Sequence, residues 1–398
     1  MIIIKRKKER IILLNYSLVQ NTKVLIGNGT IAQLGEMLKE AGYNKPILVF
    51  DKGVKEVGII AKIEKTIKDA GLAYVEFDEV LPDPPDYIIE KGAKICEEEK
   101  CDCVVAIGGG SSIDTGKGIS VLRFNKGPIL KYGNPGVPMN QCKGIINIPT
   151  TSGTGSELSC GIIVSDEKNA LKVPIVAYNA MSEYAVIDPE LSMGMPAGLT
   201  TITGLDVFSH AAEAYTSIIS NVGADMICEK IMETVFKYLP VAVEDGKNAE
   251  ARTAMSVSAS LGGWMLTNAC AHVGHSIAHV IGSKYHIPHG AACAYGFQAM
   301  IGYIASVCPD KVKKIGIILG AEFKDGETPE KIAELTNKAY KVFRDDVLKL
   351  KSIKEYNCDP AKVEECAHAI EVEIFAGLCP KKVTYEGALD LVKKTLEI

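Results

Sequence analysis

Short apolar runs alternate with helix-like segments along the first half of the chain. The runs are rich in β-branched residues, and each has the length of a buried strand. Between the first two runs, apolar residues recur at helical spacing from Ile31 to Leu38, and Gly42 follows as a stop signal. This alternation predicts a mainly parallel sheet covered by helices on both faces. The six predicted strands are residues 23–26, 46–50, 73–77, 103–107, 145–148 and 184–187.

The pattern changes near Pro196. The residues that follow show helical periodicity, many small side chains and almost no isolated strand signals. With 398 residues, of which 47% are hydrophobic, the chain is large enough for two cores. We therefore predict an α/β domain over residues 1–196 and an all-helical domain over residues 197–398. The first twenty residues fit neither pattern clearly, and we expect an N-terminal extension or an edge strand there.

Charge and composition exclude several classes of protein. The net charge of −5 argues against a general affinity for nucleic-acid phosphates. The basic run at residues 5–10 precedes a short apolar stretch that ends at Asn15 without a small-residue cleavage site, which argues against a secretory signal. No apolar run reaches the roughly 18 residues that a membrane-spanning helix needs. We expect a cytoplasmic protein without nucleic-acid or membrane partners, whose twelve scattered cysteines are reduced.

Histidines are concentrated in one part of the predicted helical domain. The chain has seven, and five of them lie between residues 272 and 289. Upstream, Asp206 and His210 are four residues apart in a helix-like segment, so both side chains project from one helical face. His275 and His279 repeat that spacing. Each pair can therefore converge on a common point.

A further histidine, His289, stands between Pro288 and Gly290, which is typical of a loop or a helix start. Any one of these histidines alone would more often be a core, surface or capping residue. As a set, three imidazoles and one carboxylate form a ligand shell that suits Fe²⁺ or Zn²⁺ and leaves room for an exchangeable oxygen ligand. We therefore predict a metal site in the helical domain.

Two polar turns follow predicted strands of the α/β domain. Residues 107–117 (Ile-Gly-Gly-Gly-Ser-Ser-Ile-Asp-Thr-Gly-Lys) run from a strand into an apparent helix, and residues 149–157 (Pro-Thr-Thr-Ser-Gly-Thr-Gly-Ser-Glu) supply hydroxyl groups and open backbone. Glycines let the backbone approach a ligand closely, and N–H groups at a helix start attract phosphate. Both turns could be purely structural, but ligands of α/β proteins bind at the carboxyl ends of strands. We predict a pyrophosphate site here.

Asp51 directly follows the second predicted strand. A carboxylate at this place can accept hydrogen bonds from an adenosine ribose, and it would repel the 2′-phosphate of NADP. As an isolated feature it would more often be a turn or capping residue. Together with the two turns, it favours NAD(H) over NADP(H) and predicts that the α/β domain binds a dinucleotide.

Four motifs, in order, resemble those of the iron-containing (group III) alcohol dehydrogenases. They are residues 108–117, 149–157, 204–215 and 275–290. The resemblance runs in register from about residue 20 to the end of the histidine cluster and more loosely beyond. It implies a Rossmann-like nucleotide-binding α/β domain, a helical domain, and an active site in the cleft between them.

The resemblance also implies roles for individual residues. His279 matches a histidine that is not a ligand and lies near the nicotinamide and the substrate. Asp51 matches the position where an acidic residue accompanies a preference for NAD. The residues that match metal ligands are Asp206, His210, His275 and His289. The residues that match dinucleotide contacts are Gly108, Gly109, Gly110, Ser111, Asp114, Thr150, Thr151, Thr154, Lys172 and Leu191.

The implied function is an NAD(H)-dependent alcohol dehydrogenase or aldehyde reductase acting on a small primary alcohol and its aldehyde. Substrate oxygen would bind one divalent ion, Fe²⁺ in preference to Zn²⁺, and hydride would pass between the substrate carbon and the nicotinamide. His279 lies one helical turn from His275, where it can exchange a proton with the substrate. A homodimer is an expectation from the family.

Two other functions stay open from the sequence. A lyase similar to dehydroquinate synthase would need several Lys and Arg near the metal motifs to hold a polyanionic substrate, but none lies inside those motifs. A non-catalytic nucleotide-binding protein would be expected to have lost at least one of the five site residues, which are the four matched metal ligands and His279. His272 and His286 add imidazoles beside the predicted ligands, either as outer partners or as core and solvent-exposed residues.

Overall fold

The computed structural model describes residues 16–169 and 171–398. Its first part is an α/β unit, and its second part is built of helices. The elements of the first part are β1 (Lys23–Ile26), α1 (Leu34–Glu40), β2 (Pro46–Val49), α2 (Lys52–Glu56), α3 (Ile59–Asp69), β3 (Val75–Phe77), α4 (Asp86–Glu98), β4 (Cys103–Gly108), α5 (Gly110–Phe124), β5 (Ile145–Pro149), β6 (Gly161–Asp166), β7 (Leu171–Val176) and β8 (Tyr184–Ile187).

The second part contains nine α-helices, and shorter helical turns join elements in both parts. The long helices are α6 (Ala197–Thr216), α7 (Val222–Glu244), α8 (Ala249–Asn268), α9 (Val273–Tyr285), α10 (His289–Ile304), α11 (Pro309–Ile318), α12 (Pro329–Lys341), α13 (Val363–Val372) and α14 (Tyr385–Leu396). The shorter turns are Thr30–Gln33, Ile129–Gly133, Tyr178–Ala180, Pro189–Ser192, Val342–Val347, Ile353–Tyr356, Pro360–Lys362 and Ile374–Leu378.

A six-stranded parallel sheet organises the first part, with the strand order β1-β8-β5-β4-β2-β3. All six predicted strands are present, although β3 is shorter than predicted. The register places Gly108 of β4 opposite Pro149 of β5. The two polar turns therefore leave the sheet side by side, at the carboxyl ends of neighbouring strands.

The central strand β4 is buried on both faces. Val104 and Ala106 pack into one apolar cluster, and Val105 and Ile107 pack into another on the opposite face. A strand covered on both sides is a near-continuous apolar run, as expected for a parallel sheet. This explains why the sequence marks β4 so clearly.

The antiparallel hairpin β6–β7 was not predicted from the sequence. β6 alternates buried and half-buried residues, and β7 carries Lys172 and Pro174 among its apolar residues. A proline inside a short run weakens a strand prediction because it removes a ladder donor. The hairpin is held by pairing from Gly161–Val176 to Asp166–Leu171.

Within residues 197–398, all of which the structure describes, there is no β-strand, so the predicted all-helical character of this part is confirmed. α6 lies at the centre of its core and is buried almost throughout. A Cβ at Gly204 would lie 2.3 Å from a methyl carbon of Leu239, so this glycine lets α6 and α7 pack closely. The domain boundary at residue 196 stays a prediction, although α6 begins next to it.

Three further expectations concern the N-terminus, membrane-spanning helices and the cysteines. The predicted extension or edge strand at the N-terminus lies mostly outside the described residues. Among the helices of residues 16–398 that are described, none combines the length and the apolar character needed to cross a membrane. All twelve cysteines are free thiols, as expected.

Candidate active site

Three helices bring the predicted metal-site residues together in the helical part. α6 presents Asp206 and His210 from one face, and α9 presents His275 and His279 from another. His289 is the first residue of α10. Both residue pairs that were predicted to share a helical face therefore lie on a continuous helix. The three helix faces meet at one point.

A glycine allows the start of α10 to pack against α6. A Cβ at Gly290 would lie 2.2 Å from the backbone oxygen of Ile202 and 3.4 Å from the Cβ of Asp206. A side chain there would push the two helices apart, because real Cβ atoms do not approach backbone oxygens so closely. Gly290 thus sets the distance between His289 and Asp206.

Asp206 Oδ1 is the point on which the imidazoles converge. Its distances to the Nε2 atoms are 3.5 Å for His210, 3.6 Å for His275 and 3.6 Å for His289. The His210 and His275 rings stack with their centroids 4.7 Å apart. Asp206 is 3% exposed, and among the described residues its Oδ1 has no hydrogen-bond partner. A buried carboxylate oxygen without a donor, facing three ring nitrogens, fits a divalent cation.

The electrostatics of Asp206 and His210 favour the forms in which they bind a metal. Burial alone would raise the pKa of Asp206, but the surrounding imidazoles, led by His210, hold that pKa below the ordinary value of a carboxyl group. Burial lowers the pKa of His210 to about 4. An ionised carboxylate and a neutral imidazole are the forms that bind divalent cations.

Glu213 orients His275 from behind. Its Oε1 lies 2.7 Å from His275 Nδ1, and its Oε2 accepts hydrogen bonds from the backbone N–H groups of His272 and His275 at 2.9 and 3.0 Å. A Cβ at Gly274 would lie 2.5 Å from Glu213 Oε1, so the glycine makes room for the carboxylate. Burial acts to raise the pKa of Glu213, but the effect of His275 is larger and brings the pKa down to about 2. A carboxylate bonded to Nδ1 leaves Nε2 directed at the centre.

His279 lies beside the centre and has its own carboxylate partner. Its Nδ1 is 3.1 Å from Glu373 Oε1, and its ring stacks on His289 with centroids 5.5 Å apart. Glu373 Oε2 accepts hydrogen bonds from the Ser276 hydroxyl at 2.6 Å and the Phe375 N–H at 2.8 Å. Burial acts to raise the pKa of Glu373, but the hydrogen bond from His279 makes the net shift downward. The ring of His279 is therefore fixed, and its Nε2 is the nitrogen left for other partners.

A cavity of about 1070 Å³ lies at the carboxyl ends of the parallel strands. Its position is where α/β proteins bind nucleotides. Of the residues predicted to contact a dinucleotide, those that line the cavity are Asp51, Gly109, Gly110, Ser111, Thr150, Thr151 and Leu191.

The glycine turn packs tightly against the second polar turn. A Cβ at Gly110 would lie 2.8 Å from Thr154 Cγ2, and a Cβ at Gly108, whose φ is +147°, would lie 2.4 Å from Ser112 Oγ. α5 begins at Gly110, so the N–H groups of its first turn have no partner within the helix and are available to a ligand at this turn. Gly108 and Thr154 therefore determine the shape of the turn, although neither lines the cavity.

Asp51 has the capping role that its position alone suggested. Its Oδ1 accepts a hydrogen bond from the Val54 N–H at 3.1 Å at the start of α2, and its Oδ2 accepts one from the Ser112 hydroxyl at 3.3 Å. It also lines the cavity. Capping and ligand contact are compatible here, because a carboxylate has more than two acceptor positions.

Two predicted dinucleotide contacts lie elsewhere. Asp114 is buried, where it accepts hydrogen bonds from the Ser156 hydroxyl and the Ile163 N–H and lies 3.7 Å from Lys117 Nζ. Lys172 Nζ is 2.8 Å from Asp83 Oδ1, beside a second cavity of about 580 Å³. Neither lines the larger cavity, and their contacts with a dinucleotide stay predictions.

The two additional histidines have different places. His272 is fully buried and its Nε2 lies 2.8 Å from Thr216 Oγ1, so it is a core residue next to Glu213. His286 is exposed and ends α9 in the left-handed conformation. His286 is therefore a solvent-exposed residue. His272 is a core residue that also contacts Glu213, the carboxylate that orients His275.

Sequence reasoning missed three residues of the site: Glu213, Glu373 and Cys293. Glu213 gave a usable signal, because it is the only carboxylate besides Asp206 in the apolar helix α6 and lies three residues after His210. Glu373 gave none, since it comes from a distant segment and is aimed at His279 only by the packing of α13 beside α9. Cys293 follows His289 by four residues, the same spacing that singled out the histidine pairs.

Comparison with known proteins identifies the family. Residues 21–189 match the iron-containing alcohol dehydrogenase family, and residues 200–396 match the C-terminal region of the Fe-containing alcohol dehydrogenase family. The chain belongs to the iron-containing alcohol dehydrogenases. The resemblance inferred from the four motifs is thus confirmed, and the protein is an oxidoreductase of the alcohol dehydrogenase class.

Similar proteins cover most of this chain. The NAD-dependent methanol dehydrogenase of Bacillus methanolicus is 33% identical over 309 residues, which are 75% of this chain and 81% of the relative. The structure of an alcohol dehydrogenase from Oenococcus oeni superposes with a TM-score of 0.89 at 32% identity, covering 96% of this chain and all of the other. A 1,3-propanediol oxidoreductase structure has a TM-score of 0.91 at 27% identity, with 96% and 100% coverage. The predicted combination of α/β and helical parts is confirmed.

Proposed function

We propose that this alcohol dehydrogenase transfers hydride between NAD(H) and a small primary alcohol or its aldehyde, with one divalent metal ion in the helical part. The observation that carries the proposal is the convergence of three imidazole Nε2 atoms within 3.6 Å of a single oxygen, Asp206 Oδ1, which has no hydrogen-bond partner in residues 16–169 and 171–398. Methanol and 1,3-propanediol, named for similar proteins, support a small alcohol as substrate.

The proposed ligands of the metal ion are Asp206, His210, His275 and His289. Fe²⁺ is our first choice and Zn²⁺ the second, because the donor set suits both and the family is iron-containing. When bound, such an ion polarises the substrate oxygen as a Lewis acid. Glu213 holds the His275 ring in the orientation that binding requires.

His279 is the proposed catalytic residue that moves the proton. Its Nδ1 is engaged by Glu373, so Nε2 is the atom that accepts the alcohol proton or returns it to the aldehyde oxygen. The stacking of its ring on His289 keeps this nitrogen next to the metal ligands. Glu373 positions the ring through its contact with Nδ1.

The larger cavity is the proposed site for NAD(H), which supplies the hydride. The N–H groups at the start of α5 would face the pyrophosphate, and Asp51 would face the adenosine ribose. The Asp51 carboxylate supports NAD(H) over NADP(H), because it would repel a 2′-phosphate. Contacts from Gly108, Thr154, Asp114 and Lys172 remain part of the proposal, although these residues lie outside the cavity lining.

Three broader statements belong to the same proposal. We infer a cytoplasmic location from the free cysteines and the composition, a homodimer from the family alone, and a division into domains of residues 1–196 and 197–398 from the change between sheet and helices. We propose no nucleic-acid or membrane partner.

Cofactor oxidation by anaerobically prepared protein tests the function. NADH and NADPH are supplied in turn with short aldehydes, including those of methanol and 1,3-propanediol, and the bound metal is measured in the same preparation. We expect a bound divalent metal and net oxidation of NADH in preference to NADPH. Metal-loaded protein that oxidises neither cofactor with any aldehyde would overturn the proposal, and a preference for NADPH would overturn the role of Asp51.

A further inference from the structure

A cysteine thiol lies within the same cluster as the proposed ligands. Cys293 Sγ is 3.6 Å from His289 Nε2 and 3.7 Å from His275 Nε2. Together with a carboxylate oxygen of Asp206, these donor atoms all lie within 4.8 Å of one another. The sequence motifs and the function proposed above give this thiol no role.

The separations between the atoms fit donors that share one ion. With Cys293 the site has five protein donors, and a five-coordinate site has angles of about 90° to 120° between neighbouring donors. Bond lengths of about 2.3 Å to sulfur and about 2.1 Å to an imidazole nitrogen then place the two donor atoms about 3.1 to 3.8 Å apart. The two distances from Cys293 Sγ are 3.6 and 3.7 Å. The same angles place a carboxylate oxygen about 3.0 to 3.6 Å from a nitrogen, and Asp206 Oδ1 is 3.6 Å from both Nε2 atoms.

The local fold fixes the thiol at this place. Cys293 follows His289 by one turn of α10, so both side chains project from the same helical face. Gly290, between them, brings that face against α6. Cys293 is 1% exposed. The buried Asp206 Oδ1, which lacks a hydrogen-bond partner among the described residues, belongs to the same cluster and is suited to a cation independently of the thiol.

We propose that Cys293 Sγ is a fifth protein donor to the cation of this centre, beside the four ligands of the proposed function, which makes the centre a mixed carboxylate, imidazole and thiolate site. The inference rests on the metal centre of the proposed function. As the sulfur–metal bond forms, the S–H bond breaks and its proton leaves to water, so no oxidation state changes. A thiolate donor favours cations of borderline softness, such as Zn²⁺ and Co²⁺, over Mg²⁺ and Mn²⁺.

Cobalt substitution tests this assignment without measuring activity. Co²⁺ bound to a thiolate has an intense near-ultraviolet charge-transfer absorption, which Co²⁺ bound only by nitrogen and oxygen lacks. We expect metal-free protein titrated with Co²⁺ to develop this band and to saturate at an equimolar amount. Cys293→Ser should bind Co²⁺ without the band. Cys228→Ser, which changes another buried cysteine on α7, should keep the band and serves as the matched control.

The possible results separate this inference from the proposed function. Co²⁺ that binds without the band, or a band that survives in Cys293→Ser, would overturn the role of the thiol and leave the metal centre intact. Protein that binds no Co²⁺ would overturn both the thiol ligand and the metal centre. Loss of the band in Cys228→Ser as well as in Cys293→Ser would also count against a specific role of Cys293.

X-ray absorption of the unmodified, zinc-loaded protein gives a second test that does not depend on the folding of a variant. We expect a sulfur neighbour at about 2.3 Å beside nitrogen and oxygen neighbours at about 2.0 to 2.1 Å. A shell of nitrogen and oxygen alone would overturn the inference. We also expect Cys293→Ser to retain Zn²⁺ at least about tenfold more weakly, since loss of even an outer partner of a ligand typically costs that much.

Discussion

The metal centre and the nucleotide cavity of this protein are built in different ways. The centre consists of buried side chains on three helices, held by packing and by outer carboxylates such as Glu213. The cavity is shaped by backbone at the ends of strands, where Gly109 and Gly110 leave room for a ligand. Substitutions at the two places should therefore have separable effects. Those in the metal centre should affect metal retention and turnover, and those in the cavity should affect NAD(H) binding.

The largest effect is expected for His279→Ala. Turnover should fall about 10²- to 10⁴-fold, because the variant lacks the group that moves the proton. Bound metal should be retained, since His279 is not among the proposed ligands. Steady-state kinetics and metal analysis of the same preparation measure both quantities. Full turnover would contradict the catalytic role, and loss of the metal would show that His279 is a ligand.

Glu213→Gln should weaken metal binding about 10- to 100-fold, because the amide cannot orient His275 as the carboxylate does. NADH affinity should not change. Competition with a chelator measures the first quantity, and the fluorescence of bound NADH measures the second. Unchanged metal affinity would mean that packing alone holds the His275 ring.

A substitution in the glycine turn should have the opposite pattern. In Gly110→Ala, the new Cβ would lie 2.8 Å from Thr154 Cγ2, so NADH affinity should fall by about tenfold through strain of 1–3 kcal/mol. Metal content should not change. Gly194→Ala is the matched control, because Gly194 lines the same cavity and has open space around it. Equal effects of the two substitutions would contradict the proposed contact.

The smallest effect is expected for Asp51→Ser. Serine keeps a cap for α2 but removes the carboxylate charge, so NADPH should gain on NADH by several fold without a large loss of stability. The ratio of kcat/KM for the two cofactors, together with a thermal unfolding curve, checks both parts. An unchanged ratio would mean that Asp51 serves only as a cap.

Sequence alone predicted most of the fold and much of the candidate site, for physical reasons. The buried parallel strands leave continuous apolar runs, and helical spacing aligns Asp206 with His210 and His275 with His279. Spacing says nothing about a residue that reaches the site from another element, which is why Glu373 was missed. Motif position alone also could not show that Asp114 points into a buried network with Lys117.

Metal stoichiometry of the wild type and of Asp206→Asn tests the central claim most directly. Asparagine preserves the size of the side chain but removes the anionic oxygen on which the three imidazoles converge. We predict equimolar Fe²⁺ or Zn²⁺ in the wild type, and almost none in Asp206→Asn, which should still bind NADH. Equal metal content in the two proteins would contradict a metal centre built around Asp206.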